Sequence, residues 1–481
     1  MAIPKTSIPA TGVAQERRAA RESARKFEAA RPPGLLLERM YPASLVVIVL
    51  VGAALRFSTL DMRSFWSDEG ATVRFVSMGF GEMLSTIISE ESTPPLYYVL
   101  AWLWAKLFGV GEVGLRTLSA LFGTATIAVV YAVGAHVAGR RVGLLAALVA
   151  AVSPLLVWHS QDARAYALVM FVSGLSLLFF LRALAAPRMR TVAAWAVASS
   201  LLLTSHYFAV FLVGPAAVWL LARHRARRVA FAVGAVGLVG LALLVPASRV
   251  PGDAAWIPRT SLVSRIAQIP AQFLVGYQPP WQIAVSAVAV LLALFGLWLL
   301  ATRGERDEWA RLRVPAMIGA TALLLPVLVA VVAYDRLITR AVTIAWIPLA
   351  VVVTAGFGVR RAGWMGVSAV AAICVLFLAV NVATADDPKF EREDWRGVAA
   401  AMEAPASRAI VLSPAGILPM LHYRPASREL KHGAARVNEI VLIGTPPDHR
   451  EIGERPRPPR PSSVAAPLPG FVQVGRIDED L

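Results

Sequence analysis

Residues 61–116 read DMRSFWSDEGATVRFVSMGFGEMLSTIISEESTPPLYYVLAWLWAKLFGVGEVGLR. This stretch holds two adjacent acid pairs, Asp68-Glu69 and Glu90-Glu91, among Phe65, Trp66, Tyr97, Tyr98, Trp102 and Trp104. Apolar runs long enough to cross a bilayer flank it on both sides. Charge beside hydrocarbon is costly to keep, so two carboxylate clusters at such a place point to a reaction site.

Composition sets the class. Apolar residues make up 57% of the 481 and charged ones 16%, with a mean hydropathy of +0.61. A soluble domain of ordinary composition is nearer a quarter charged, so the chain reads as an α-helical polytopic membrane protein. The net charge of +16 does not imply nucleic acid, because the arginines punctuate apolar runs instead of forming one stripe. That pattern suits a lipid bilayer with an anionic leaflet. The single cysteine, Cys374, lies in an apolar run and excludes a disulfide framework.

Residues 1–40 are polar and basic and lack a short apolar core with a cleavage site, which predicts a disordered cytoplasmic tail. Apolar runs follow at 42–60, 116–138, 142–159, 165–184, 191–205, 207–222, 228–247, 282–302, 314–333, 341–359 and 363–383, about eleven transmembrane helices in a domain over 41–384. Basic loops at Arg140-Arg141, Arg182 to Arg190, Arg223 to Arg228, Arg303 to Arg313 and Arg360-Arg361 should face the cytoplasm. The less basic connections, including 61–115, then face outward, and so does a C-terminal domain at 385–481. The apolar segment 94–108 is the ambiguous one. At roughly 15 residues it is short for a crossing, and Pro95 near its start suits a helix lying in the outer interface; the alternative is that it spans. Residues 71–88 form a second candidate juxtamembrane helix. Beyond 385, helical and strand-like runs alternate (RAIVLS at 408–413, NEIVLIG at 438–444), predicting a small α/β domain interrupted by RPRPPRP at 455–461.

The ordered motifs FWSDEG (65–70), ESTPPLYY (91–98), LRTLSALFG (115–123), GRRVGLLAAL (139–148), SPLLVWHSQDARAYAL (153–168), SHYF (205–208) and EDWRGVA (393–399) resemble the GT-C superfamily of polytopic membrane glycosyltransferases. The branch is glycosyltransferase family 39, with protein O-mannosyltransferases and lipid A aminoarabinose transferases. Two departures stand out: Ser92-Thr93, where relatives often carry a histidine, and Ala341 after Arg340, where many carry a tyrosine.

The resemblance implies a polyprenyl-phosphate sugar donor, hexosyl or pentosyl, and transfer to a hydroxyl on protein, lipid or glycan at the extracytoplasmic face, with inversion. Arginine placement and the odd span count put the N-terminus in the cytoplasm and the C-terminus outside, and the arginine-over-lysine bias points to a bacterial inner membrane. An alcohol is a weak nucleophile and needs a positioned base, a role that falls to Asp68. On the residues alone Asp68 reads equally as an acid at a helix N-terminus. Glu91 orients the acceptor or the donor sugar, or is an exposed acid ahead of a helix; Glu69 shares the base role with Asp68 or binds a metal with it. A departing phosphate needs cations, for which Arg116, Arg164 and Arg340 are candidates, each also readable as an interfacial arginine. His206, Tyr207 and Tyr98 complete the substrate-binding set, and Asp162 is placed to pair with Arg164. No cofactor is expected; a divalent metal is not favoured, since it wants more oxygen ligands than the two or three visible. The runner-up is a transporter or flippase, and a third reading is a non-catalytic subunit.

Overall fold

The computed structural model describes residues 34–249, 257–277, 279–386, 393–402, 408–428 and 437–443. The basic tail up to residue 33 and the 455–461 loop lie outside these. The chain divides into two units, residues 1–47 and 48–481, and the contacts described below lie within the second.

The helices, in order, are α1 (Gly34–Phe57), α2 (Ser67–Ser77), α3 (Phe80–Glu90), α4 (Leu96–Phe108), α5 (Glu112–Ala138), α6 (Arg140–Val152), α7 (Pro154–Ser160), α8 (Tyr166–Ala185), α9 (Met189–Leu203), α10 (Val210–Arg223) and α11 (Arg227–Arg249). They continue with α12 (Leu262–Val275), α13 (Gln282–Arg303), α14 (Arg306–Val332), α15 (Trp346–Gly358), α16 (Gly363–Asp386), α17 (Trp395–Ala401) and α18 (Pro414–Tyr423). Every apolar run expected to span is helical. Among the described residues six helices are long and apolar enough to cross a membrane, or seven if the bent pair α6–α7 is one span. The helix-rich fold class is the expected one; the figure of eleven spans is not established by length.

Three local differences from the sequence reading have physical causes. The run 142–159 is not straight: α6 and α7 meet at 59°. Pro154 has no N–H to continue the ladder, so carbonyls before it need other donors. Arg56 supplies them, donating at 2.8 Å to Ala151 O and 3.0 Å to Ala150 O, while Asn381 donates at 2.8 Å to Val152 O. The expected helix over 71–88 is two, α2 and α3, broken at Met78–Gly79, where the Trp102 indole N–H takes the freed Met78 carbonyl at 3.0 Å. Within the expected loop 248–281 lies α12, started by Ser261, whose hydroxyl accepts from Ser264 N–H. The ambiguous 94–108 segment is a 13-residue helix, about 20 Å long against a hydrocarbon core of about 30 Å.

The core is one apolar cluster running through α5, α6, α8, α9 and α15. Small residues allow the close crossings inside it. A Cβ at Gly123 on α5 would meet Ser160 Oγ at 1.9 Å, so only glycine admits the bent α7 there. After α16 the chain forms a small α/β unit. Strands β1 (Arg408–Val411) and β2 (Glu439–Leu442) pair in parallel, Arg408 with Glu439 and Val411 with Leu442. Trp395, Val398, Ala399 and Met420 form its core, and α18 packs on α2.

Candidate active site

The loop before α2 and the loop 161–165 are pinned together first. Arg116, on α5, donates from Nε and Nη2 to the two carboxylate oxygens of Glu69, at 2.8 and 2.6 Å. Its remaining N–H groups go to the carbonyls of Leu60, Arg63 and Ser64 at 2.7–2.9 Å, which uses all five guanidinium donors. Glu69 also accepts from Ala163 N–H at 2.8 Å, and Thr72 Oγ1 donates to Ala163 O at 2.9 Å. Both Glu69 and Arg116 are buried. Sequence reasoning groups them with the reacting side chains; the geometry gives them the shape of a sealed brace.

The brace presents Asp68 to the other side. Helix α2 has Trp66 at its N-cap with no side-chain cap bond, so Asp68 sits in the first turn and does not cap the helix. Its carboxylate, about a quarter exposed, lies 3.0 Å from Arg340 Nη1 and 4.0 Å from Arg164 Nε. Arg164 continues to Glu91, with Nη1 and Nη2 each 3.5 Å from a carboxylate oxygen, and Nη1 donates to Tyr98 Oη at 2.6 Å. Tyr98 lies close enough to Glu91 to feel its charge, and Ser92 Oγ donates to Glu91 at 3.3 Å. Asp68, Glu91, Arg164, Arg340 and Tyr98 therefore meet in one cluster.

Arg340 reaches the cluster from a loop 272 residues on. That loop is held by Arg265 of α12, which pairs with Asp335 through Nη1 at 2.8 Å and through Nη2, and donates to Leu337 O. The Arg265 hydrogen bond holds the Asp335 carboxyl below its usual range. The Arg340 guanidinium lies 6.0 Å over the Trp66 ring, and the Trp66 indole N–H donates to Asp162 at 3.1 Å. Asp162, expected beside Arg164, thus steadies Trp66.

Electrostatics follow from this crowding. Burial by itself would lower the Arg164 pKa, but Tyr98, Glu91 and Asp68 hold it well above its ordinary value. His206, in the turn after α9, is pushed down to about 4 by burial and by the charges of Arg340 and Arg164, so it is neutral at pH 7. Its Nδ1 accepts from Phe208 N–H at 3.2 Å. Tyr207 is half-buried and close enough to Glu91 to feel its charge. These two border the cluster, His206 near Arg340 and Arg164 and Tyr207 near Glu91. Among the described residues no group of three or more His, Cys, Asp or Glu is arranged to hold a metal, and the carboxylates face guanidiniums.

A cavity of about 340 Å³ is lined in part by Arg63, Trp158, Gln161, Tyr277, Asn381 and Asp386 and by none of the five cluster residues. Tyr277, which lines it, has its Oη 3.0 Å from His159 Nε2, and the His159 ring lies tilted against Tyr166 with centroids 4.7 Å apart. Arg56, Arg265 and Asp335 went unread in the sequence, since nothing in local periodicity marks them.

Residues 92–249, about a third of the chain, match the family described as dolichyl-phosphate-mannose-protein mannosyltransferase. A search of curated proteins gave no match. Among solved structures, ArnT from Cupriavidus metallidurans in the apo state aligns with a TM-score of 0.53 at 15% identity, over 79% of this chain and 84% of that one. The Archaeoglobus fulgidus oligosaccharyltransferase in complex with Zn and sulfate aligns at 0.48 and 12%, over 79% of this chain; the chain spans 61% of that protein's length. The S. cerevisiae protein O-mannosyltransferase Pmt1–Pmt2 complex bound to the sugar donor aligns at 0.35 and 19%, over 42% and 32%. The likeness to ArnT shows the fold: the two chains share a helix-rich architecture over most of their lengths, the helical class the sequence predicts.

Proposed function

We propose that the protein transfers a sugar from a polyprenyl-phosphate carrier to a hydroxyl acceptor at the extracytoplasmic membrane face. The observation that carries this reading is the single cluster in which Asp68 and Glu91 share Arg164, with Arg340 on Asp68. Before substrate arrives, the carboxylates serve as counter-ions to the two guanidiniums. A donor phosphate binds guanidinium at least as well as a carboxylate does, so its arrival releases Asp68 to accept a hydrogen bond from the acceptor hydroxyl.

The reaction then balances simply. The acceptor oxygen bonds to the anomeric carbon from the face opposite the phosphate, inverting it, as its proton passes to Asp68. The anomeric C–O(phosphate) bond breaks, and the added negative charge on the leaving polyprenyl phosphate falls on Arg164 and Arg340. Glu91, set by Tyr98 and Ser92, orients sugar or acceptor hydroxyls, and neutral His206 with Tyr207 borders the same space. Glu69 and Arg116 act at one remove, holding the Asp68 loop. Arg164 and Arg340 supply positive charge beside Asp68, and on this proposal the transfer runs without a metal.

The basic loops support the orientation. Arg303 Nη1 donates to Arg361 O at 3.0 Å and Arg141 Nη2 to Gly363 O at 3.3 Å, so three of them gather together, as a cytoplasmic face should. A bacterial inner membrane with an outward C-terminus fits this arrangement. The test is incubation of membranes holding the protein with defined polyprenyl-phosphate hexoses and pentoses, with and without EDTA. Mass spectrometry should find a glycosylated product in both arms; lipid movement with no product from any donor would replace transfer with transport.

A further inference from the structure

The segment that delivers Asp68 to the cluster is gripped twice. Arg116 takes its carbonyls from one side, as described above. From the other side the C-terminal α/β unit bonds nearly every residue of 61–65. Arg396 Nη2 donates to Asp61 O at 3.1 Å and Met62 O at 3.2 Å. Ser64 Oγ donates to Glu393 O at 2.8 Å and accepts from Trp395 N–H at 3.0 Å. Phe65 N–H, on a fully buried residue, donates to Tyr423 Oη at 2.7 Å, and the Tyr423 hydroxyl donates onward to Glu112 Oε1 at 2.7 Å.

Tyr423 thus joins three separate parts of the chain through one oxygen: the C-terminal end of α18, the first turn of α5, and the backbone three residues before Asp68. The rings of His422 and Tyr423 close over Phe65, with centroids 5.2 and 6.5 Å away. Helix α18 also lies so close to α2 that a Cβ at Gly70 would meet Leu418 Cβ at 2.9 Å and Pro419 at 3.0 Å. Gly70 is two residues past Asp68. Nothing in a bare supporting domain requires this many bonds to converge on the short segment bearing the proposed base.

We infer that Tyr423 is a positioning residue for the transfer site, fixing Asp68 against Arg340 and Arg164 through a Glu112–Tyr423–Phe65 N–H relay. The inference rests on the transferase reading, but the geometric part stands without it. Tyr423→Phe keeps the ring and its packing, removes both bonds of the hydroxyl, and leaves the buried Phe65 N–H unpaired. Small misplacements of a catalytic group are felt strongly, so the bond's loss should act on turnover more than on folding.

The experiment uses the full chain in nanodiscs. Tyr423→Phe should raise amide hydrogen exchange in peptides covering 61–68 and leave exchange in α8 unchanged, with the protein still folded and its thermal midpoint only modestly lowered. It should lower kcat for transfer by roughly tenfold to a hundredfold with KM for the polyprenyl-phosphate sugar held. Glu112→Gln, which keeps an oxygen acceptor for the phenol, should retain the exchange protection that Glu112→Ala loses. If Tyr423→Phe does not fold, Gly70→Ala, which wedges α18 from α2, is read the same way. Unchanged exchange at 61–68 overturns the inference, as does protection lost evenly across the bundle or a kcat equal to the parent's. Faster exchange at 61–68 in a protein whose parent transfers nothing from any donor supports the positioning and overturns the transferase reading alone.

Discussion

Asp68 and Glu69 are adjacent acids, and the structure puts them to opposite uses. Glu69 is fully buried, bonded in two places by one guanidinium that spends its other donors on backbone carbonyls. Asp68 is about a quarter exposed and shares two arginines at 3.0 and 4.0 Å, one of which is itself divided with Glu91 and Tyr98. A saturated pair resists disturbance, whereas a loosely shared one can trade a carboxylate for a phosphate. Residue type does not separate the two; exposure and the sharing of one guanidinium among several acceptors do.

The largest effect should come from unbalancing the sealed pair. Arg116→Ala leaves Glu69 a buried, unpaired charge and frees three backbone carbonyls, a loss of about 3–5 kcal/mol. Thermal unfolding in detergent should show a strongly lowered midpoint or no folded protein; a midpoint equal to the parent's would mean the pair is not a brace. Next comes the loose pair. Arg340→Ala should change the unfolding free energy by no more than about 1 kcal/mol, while raising KM for the donor and lowering kcat, together roughly a hundredfold. An Arg340→Ala variant with parental kinetics would remove the phosphate from that side of the cluster.

The smallest effect is expected from pH. His206 has a pKa of about 4 in the folded protein, below its unfolded value of about 6.5. Its contribution is therefore complete above the unfolded value and is lost as pH falls toward 4, because the unfolded chain binds the proton first. The parent's unfolding midpoint should drop more steeply from pH 6.5 to 4 than that of His206→Gln. Parallel curves would mean that His206 is neither buried nor held beside Arg340 and Arg164.

Much of this was readable in advance because hydropathy and arginine placement report on the bilayer, the largest force on the chain. The apolar runs, the helix at 96–108 and the strand–helix–strand order of 408–442 all left periodic or compositional traces. What left none were pairings between distant residues. Arg56 satisfying carbonyls across the α6–α7 bend, Arg265 tethering the Arg340 loop, and Tyr423 reaching Phe65 link positions about 70 to 360 apart. Arg116 was visible as a cation near the acids, but only its five filled donors separate a brace from a phosphate ligand. The α6–α7 bend was signalled by Pro154, whose lost N–H the apolar run concealed.

The most direct measurement compares Asp68→Asn with Glu69→Gln in one preparation, reading transfer by mass spectrometry and folding by thermal unfolding. Asp68→Asn should fold like the parent and lose transfer by about 10²–10⁴-fold, while Glu69→Gln should lose folded protein. An Asp68→Asn protein that still transfers at the parental rate would contradict the account.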